Sequence, residues 1–180
     1  MVTLSQVILL IVNALGLFLT VLLLIRFFMQ AFRVPFNNRI GNLVLHLTNW
    51  LIIPLRKIIP PVLKFDSASL ISAYLLQVIL LVIVVLLSPD FSLFAPEVPL
   101  QIAVNGLKSL LRITIYLLIL LLIIQAILSW FKPEALQNHP INLITMPLLR
   151  PLRRIVPPIA NIDLTPLIAF LIAQIVLLFL

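Results

Sequence analysis

PLRKIIPPVLKFD, residues 54–66, and RPLRRIVPPIANID, residues 150–163, are near copies, and each stands directly before a long apolar run. At an offset of 97, residues 54–78 match residues 151–175 at ten of 25 positions without a gap. The matches include Arg56/Arg153, Pro60/Pro157, Pro61/Pro158, Asp66/Asp163 and Gln77/Gln174. A common excess of leucine and isoleucine does not produce matches of arginine, paired proline, aspartate and glutamine in one frame. The sequence therefore indicates an internal duplication. Upstream the frame slips by two residues and aligns Gln30-Ala31 with Gln125-Ala126, which draws the first helix of each half into the repeat.

The surroundings of these segments set the solvent. Hydrophobic residues make up 63% of the 180-residue chain and charged residues 9%, against about a quarter charged in soluble domains. No charge occurs from Leu4 to Ile25, Ser67 to Leu87, Ile113 to Phe131 or Leu164 to Leu180. A hydrocarbon core of about 30 Å takes about 20 helical residues, so three of these runs span with ease and the last only just. Lipid offers no hydrogen bonds to the backbone, and the runs lack the polar alternation of a barrel strand, so they must be helices. The opening MVTLSQVILL has neither a basic flank nor a small-residue cleavage site, and is expected to be a retained membrane helix and not a signal peptide.

The expected fold is an all-α membrane protein with four transmembrane helices, arranged as two parallel helix–basic loop–helix repeats with short amphipathic interfacial helices in the loops. The first repeat covers 1–88, with spans at about 4–31 and 67–87. A short periplasmic linker follows at 89–107, and the second repeat covers 108–180 with spans at about 110–131 and 164–180. Two spans return the chain to its starting side, so both copies insert in the same orientation about an axis along the membrane normal. Arg33, Arg39, Arg56, Lys57 and Lys64 lie in the first long loop, and Lys132, Arg150, Arg153 and Arg154 in the second. The middle loop carries Asp90 and Glu97, with Lys108 and Arg112 towards its end. The positive-inside rule then puts both long loops in the cytoplasm and both termini in the periplasm. A net charge of +7 placed beside membrane helices points to anionic lipid and not to nucleic acid.

Within the motif, Arg150, Arg153 and Arg154 stand at i, i+3 and i+4. One helical turn would put them on one face and Leu149, Leu152, Ile155 and Val156 on the other. Arg56 and Lys57 repeat the arrangement beside Leu55, Ile58 and Ile59. Pro151 suits a first helical turn, and Pro60-Pro61 and Pro157-Pro158 stop the helix and act as a hinge. The element is expected to lie in the headgroup layer, with Arg56, Lys57, Arg150, Arg153 and Arg154 on lipid phosphates or a protein partner. Asp66 and Asp163 directly precede the second and fourth spans. Each is expected to cap its helix, and a pairing with a nearby arginine is compatible with that role; Thr165 before Pro166 is a rival cap in the second copy.

Gln77 and Gln174 lie eleven residues beyond those aspartates, about 16 Å along a helix and hence in mid-membrane. One amide from each repeat could pair across the pseudo-symmetry axis, and with Gln125 they are the candidates for a polar path. Arg26 is expected to snorkel to the interface. His46 and His139 are not equivalent in the repeat and have no third ligand, so both are taken as ordinary loop residues. Without cysteine, disulfides, thiolate metal sites and cysteine nucleophiles are excluded. No phosphate-binding loop, zinc-protease helix or nucleophile elbow is present. No catalytic residue, cofactor or metal ligand is assigned.

The stretches RPLRRIVPPIANIDLTPLIAFLIAQ and PLRKIIPPVLKFDSASLISAYLLQ resemble the signature of the YggT family, small bacterial membrane proteins with relatives in chloroplasts. The second copy shares Thr145, Pro147, Leu148, Leu149, Pro151, Arg153, Arg154, Pro157, Pro158, Asp163 and Pro166 with that signature. The first shares Thr48, Pro54, Arg56, Lys57, Pro60, Pro61 and Asp66, with Trp50 and Ser69 at two proline positions and no glycine in either link. The resemblance covers nearly the whole chain. It implies a two-repeat protein of the bacterial inner membrane, with roles associated with cell division, osmotic tolerance and, in plastids, assembly of membrane complexes. It carries no catalytic residues. A non-enzymatic scaffold or assembly factor is thus the first expectation, binding anionic lipid, a membrane-protein partner or a second copy. A small oligomeric channel or transporter for ions or small solutes is the alternative.

Overall fold

The computed structural model describes residues 4–57, 59, 66–87, 97–131, 139–155 and 163–180. Among these residues the fold is all-helical, without strands, in six helices: α1 Leu4–Ala31, α2 Arg39–Leu55, α3 Ser67–Leu86, α4 Val98–Phe131, α5 Pro140–Ile155 and α6 Thr165–Leu178. Of these, α1, α3 and α4 are long and apolar enough to cross a membrane. α6 is equally apolar but has 14 residues, about 21 Å at 1.5 Å per residue.

α1, α3, α4 and α6 pack in a row, each against the next, with α2 set on α1 and α3 and α5 on α4 and α6. Side-chain contacts fix the directions. Thr20 meets Gln77 while Arg26 meets Asp66, so α1 and α3 are antiparallel. Gly106 faces Val78 while Val98 lies beside Val85, so α3 and α4 are antiparallel too. α2 and α5 consequently stand at the same end of the row. A Cβ at Gly106 would come within 2.9 Å of Val78 Cγ2 and one at Gly16 within 2.6 Å of Leu80 Cδ1; their absence lets α1 and α4 approach α3 closely. The core at that end gathers Leu23, Leu24, Met29, Val34, Ile52 and Ala73. The rest of the surface is rich in exposed leucine, isoleucine and valine.

Local chemistry explains the helix ends. After α1, Val34 N–H donates to Met29 C=O at 2.7 Å and Arg33 N–H to Gln30 C=O at 3.2 Å. Arg33 takes φ 56°, the left-handed closing residue of this motif, and the buried Val34 and Met29 supply its apolar contact. Asn38 begins α2 by accepting the Gly41 N–H on its side chain at 2.8 Å, which satisfies one orphan donor of the first turn.

Several expectations are corrected here. The helices that carry the basic segments are longer than expected: α2 has 17 residues and α5 has 16, because their apolar spacing continues far upstream of the arginines. Pro151 therefore sits near the end of α5, with Pro147 also inside that helix, and Pro54 near the end of α2. α4 begins at Val98, so the later part of the expected 89–107 linker is helical and Lys108 and Arg112 ride on α4. Pro60, Pro61, Pro157 and Pro158 lie outside the described residues.

Candidate functional site

The polar chemistry of the first half converges on Asp66, the residue that precedes α3. Its side chain is 2% exposed and contacts two arginines. Arg56, just past the end of α2, donates from Nη2 to Oδ2 at 2.8 Å and from Nε to Oδ1 at 3.4 Å. Ser69 Oγ donates to Oδ2 at 2.6 Å. The Arg56 Nη2 also donates to Gln30 Oε1 at 3.0 Å, so one guanidinium joins α1, α2 and α3. Asp66 does not cap α3 through its side chain; the arginine pairing has displaced the expected capping, and only its backbone C=O receives the Ser69 and Leu70 N–H groups. Burial pushes the Asp66 carboxyl up, but hydrogen bonds from Arg56 and Ser69 and the charges of Arg56 and Arg26 outweigh it. Its pKa lies below the ordinary carboxylate value.

Arg26 is the residue that sequence reasoning misplaced. It does not snorkel: it is 3% exposed and turned into the protein. Nη1 donates to Thr48 Oγ1 at 2.7 Å and to Asn49 Oδ1 at 2.9 Å. Its Nε lies 3.5 Å from Asp66 Oδ2, an ion-pair distance without hydrogen-bond alignment. A buried cation must be paired to be tolerated.

The second half builds a lighter version. Arg153 donates from Nε to Asp163 Oδ2 at 3.0 Å, and its Nη2 lies 2.8 Å from the same oxygen. Asp163 Oδ1 receives the Thr165 N–H at 3.0 Å and the Thr165 hydroxyl at 2.5 Å, so this aspartate holds both its arginine and the first residue of α6, while the N-cap position is Leu164. Burial raises its pKa, and the Thr165 hydrogen bonds with the Arg153 charge bring it below the ordinary value. In both halves the arginine precedes its aspartate by ten residues. The position of Arg26 is taken by the buried Leu121 at the 95-residue offset, and among the described residues the second clasp has no internal cation.

The glutamines do not meet. Gln77 is buried and donates to Thr20 Oγ1 at 2.8 Å, and Thr20 donates to Gly16 C=O at 2.8 Å. Gln125, also buried, donates to Asn142 Oδ1 on α5 at 3.2 Å. Gln174 faces outward from α6. The expected Gln77–Gln174 pair is not formed because Gln77 finds its partner on the adjacent α1. Thr48 and Thr145, 97 residues apart and fully buried, each return their hydroxyl to the backbone one turn earlier, at 2.6 Å and 2.8 Å.

Lys57, Arg150 and Arg154 are exposed, and Arg153 is exposed beside its clasp, whereas Ile141, Ile144 and Leu149 of α5 are buried. His46 lies exposed on α2, with Nδ1 2.8 Å from Asn42 O; His139 Nδ1 accepts the Ile141 N–H at 3.4 Å at the start of α5. No group of three or more metal-ligating side chains occurs among the described residues.

The sequence profile described as CCB3/YggT matches residues 5–87 and again residues 104–180. This chain belongs to the CCB3/YggT family. An uncharacterized protein of the proC 3' region of Vibrio alginolyticus is 33% identical over 149 residues, 82% of this chain and 79% of that one. The uncharacterized protein YggT of Escherichia coli K12 is 33% identical over 162 residues, covering 87% of this chain and 80% of its own. A Pseudomonas aeruginosa relative is 29% identical over 178 residues, 98% of this chain and 89% of that one. No solved structure matches. The two stretches matched by the YggT profile contain both arginine–aspartate clasps, one in each.

Proposed function

We propose that this YggT-family chain is a non-enzymatic scaffold or assembly factor of the bacterial inner membrane, serving envelope upkeep. In this reading four helices cross the membrane as two parallel repeats, both termini are periplasmic, and α2 and α5 lie along the cytoplasmic headgroup layer. The carrying observation is the division of α5, with Leu149, Ile144 and Ile141 buried on the protein and Arg150 and Arg154 exposed. Such a helix presents cations at headgroup level while the clasps hold it to the spans. The cations of the two basic segments divide into two groups: Arg56 and Arg153 are held by aspartates, leaving Lys57, Arg150 and Arg154 for anionic lipid or a partner.

The full chain in neutral detergent, titrated with anionic and with zwitterionic phospholipid, tests this by native mass spectrometry. Anionic adducts should dominate and should fall when Lys57, Arg150 and Arg154 are changed to glutamine; unchanged adducts reject the lipid-binding reading. A crosslinker at Arg154 in living cells tests the scaffold part, for which a reproducible protein adduct is expected.

One observation favours a second reading, a small channel or transporter. Arg26 is an ionisable residue buried beside Asp66 near the end of α1, and ionisable groups inside a bundle often mark ion paths. Ion flux in proteoliposomes, abolished by Arg26→Leu, together with lipid adducts alone in the crosslinking, would favour it.

A further inference from the structure

Leu167, Leu171, Gln174 and Leu178 of α6 follow one another at spacings of four, three and four, and all of them are exposed. The helix packs on α4 and α5, and Leu167 at the start of this stripe borders a groove shared with Leu122, Ile123, Ala126 and Ile127 of α4. That alternation is the seam spacing of a left-handed helix pair, here without an occupant. In its middle stands a primary amide, nine residues past Thr165 and so about 14 Å along the helix. No hydrogen bond joins the Gln174 side-chain amide to another described residue, and hydrocarbon supplies neither donor nor acceptor. The equivalent Gln77 shows the alternative, since α3 is flanked by α1 and α4 and its amide reaches Thr20.

We propose that two copies of this chain pair through α6, side by side in the same membrane orientation, with the Gln174 amide of each copy hydrogen-bonded to the partner's Gln174. A two-fold axis along the membrane normal places identical residues at identical depth, so the seam meets itself and the two amides face each other. An amide carries both donor and acceptor and is its own complement. A lone polar residue in such a seam selects a two-helix pair and its register. A second copy satisfies depth, spacing and hydrogen bonding together. The pairing rests on the four-span layout proposed above and is independent of lipid binding by the arginines.

The chain contains no cysteine, so single introduced cysteines report proximity without background. Leu171→Cys and Leu178→Cys lie on the seam, while Ile172→Cys and Val176→Cys are exposed positions off it. Oxidation in native membranes should give covalent dimers of twice the chain mass from the two seam variants and monomers from the other two. Adding Gln174→Leu to Leu171→Cys should lower the dimer yield about three-fold, the equivalent of about 0.6 kcal/mol. Equal crosslinking on and off the seam, or a band containing a different protein, overturns the pairing. Absence of dimer overturns it alone when the thiols resist a membrane-impermeant maleimide. Ready labelling of Leu171→Cys by that reagent would overturn the α6 span and the pairing with it, while the lipid adducts report on the arginines separately.

Discussion

Arg26 and Asp66 stand 3.5 Å apart with 3% and 2% of their side chains exposed, a charge pair enclosed where the end of α1 meets the start of α3. Arg56 closes over it from the end of α2 with 42% of its side chain exposed. Among the described residues the inner cation has no counterpart in the second half, so the two clasps differ in what their aspartates hold. Removing one partner of an enclosed pair strands the other, whereas a half-exposed pair is screened by solvent.

Asp66→Asn should therefore destabilise the detergent-solubilised protein by about 3 kcal/mol, because it leaves Arg26 buried without its anion. Asp163→Asn, whose pair is about one-third exposed, should cost about 1 kcal/mol or less. Thermal melts of the two variants compare them directly, and equal losses would show that Arg26 does not depend on Asp66.

Acid should weaken the fold through the same two groups. Both carboxyls have folded pKa values below their ordinary ones, so the stability they contribute is present above the unfolded value of about 3.9 and is lost as pH falls through the lower folded values. Melting temperature should be level above about pH 5 and fall below about pH 4. Asp66→Asn should flatten that fall, and a variant as acid-sensitive as the parent would assign the transition to other groups.

Gly41→Ala and Gly16→Ala should separate. A Cβ at Gly41 would lie 2.5 Å from Phe36 O, a backbone atom in the turn before α2, while one at Gly16 meets the flexible tip of Leu80 at 2.6 Å. The backbone clash cannot be relieved by a rotamer change, so Gly41→Ala should cost about 1–3 kcal/mol and Gly16→Ala less. Chemical or thermal denaturation in detergent decides; the reverse order would mean that the α1–α3 contact is the more rigid.

Topology is checked by fusions. An alkaline phosphatase fused after Leu180 should be active and a fluorescent reporter there dark, as required by a periplasmic C-terminus. A fluorescent fusion would reverse the orientation of the whole layout.

Much of this protein was legible before any coordinate. Unbroken apolar runs of about 20 residues admit only helices in lipid, because backbone groups there must pair within their own element; α1 and α3 occupy those runs, and α6 the shortest of them. The arginine, proline and aspartate frame located Arg56–Asp66 and Arg153–Asp163 as corresponding places, since both clasps depend on a fixed ten-residue separation. The tertiary structure decided which polar groups meet. Arg26 turned inward because Thr48, Asn49 and Asp66 arrive from α2 and the start of α3, and no local pattern in α1 reports what arrives from elsewhere. Gln77 and Gln174 each stand eleven residues past an aspartate but only Gln77 has a helix on each side, so one amide is satisfied within the chain and the other faces out. Hydropathy and spacing specify what each segment can do alone; the destination of a buried charge or amide depends on its neighbours in space.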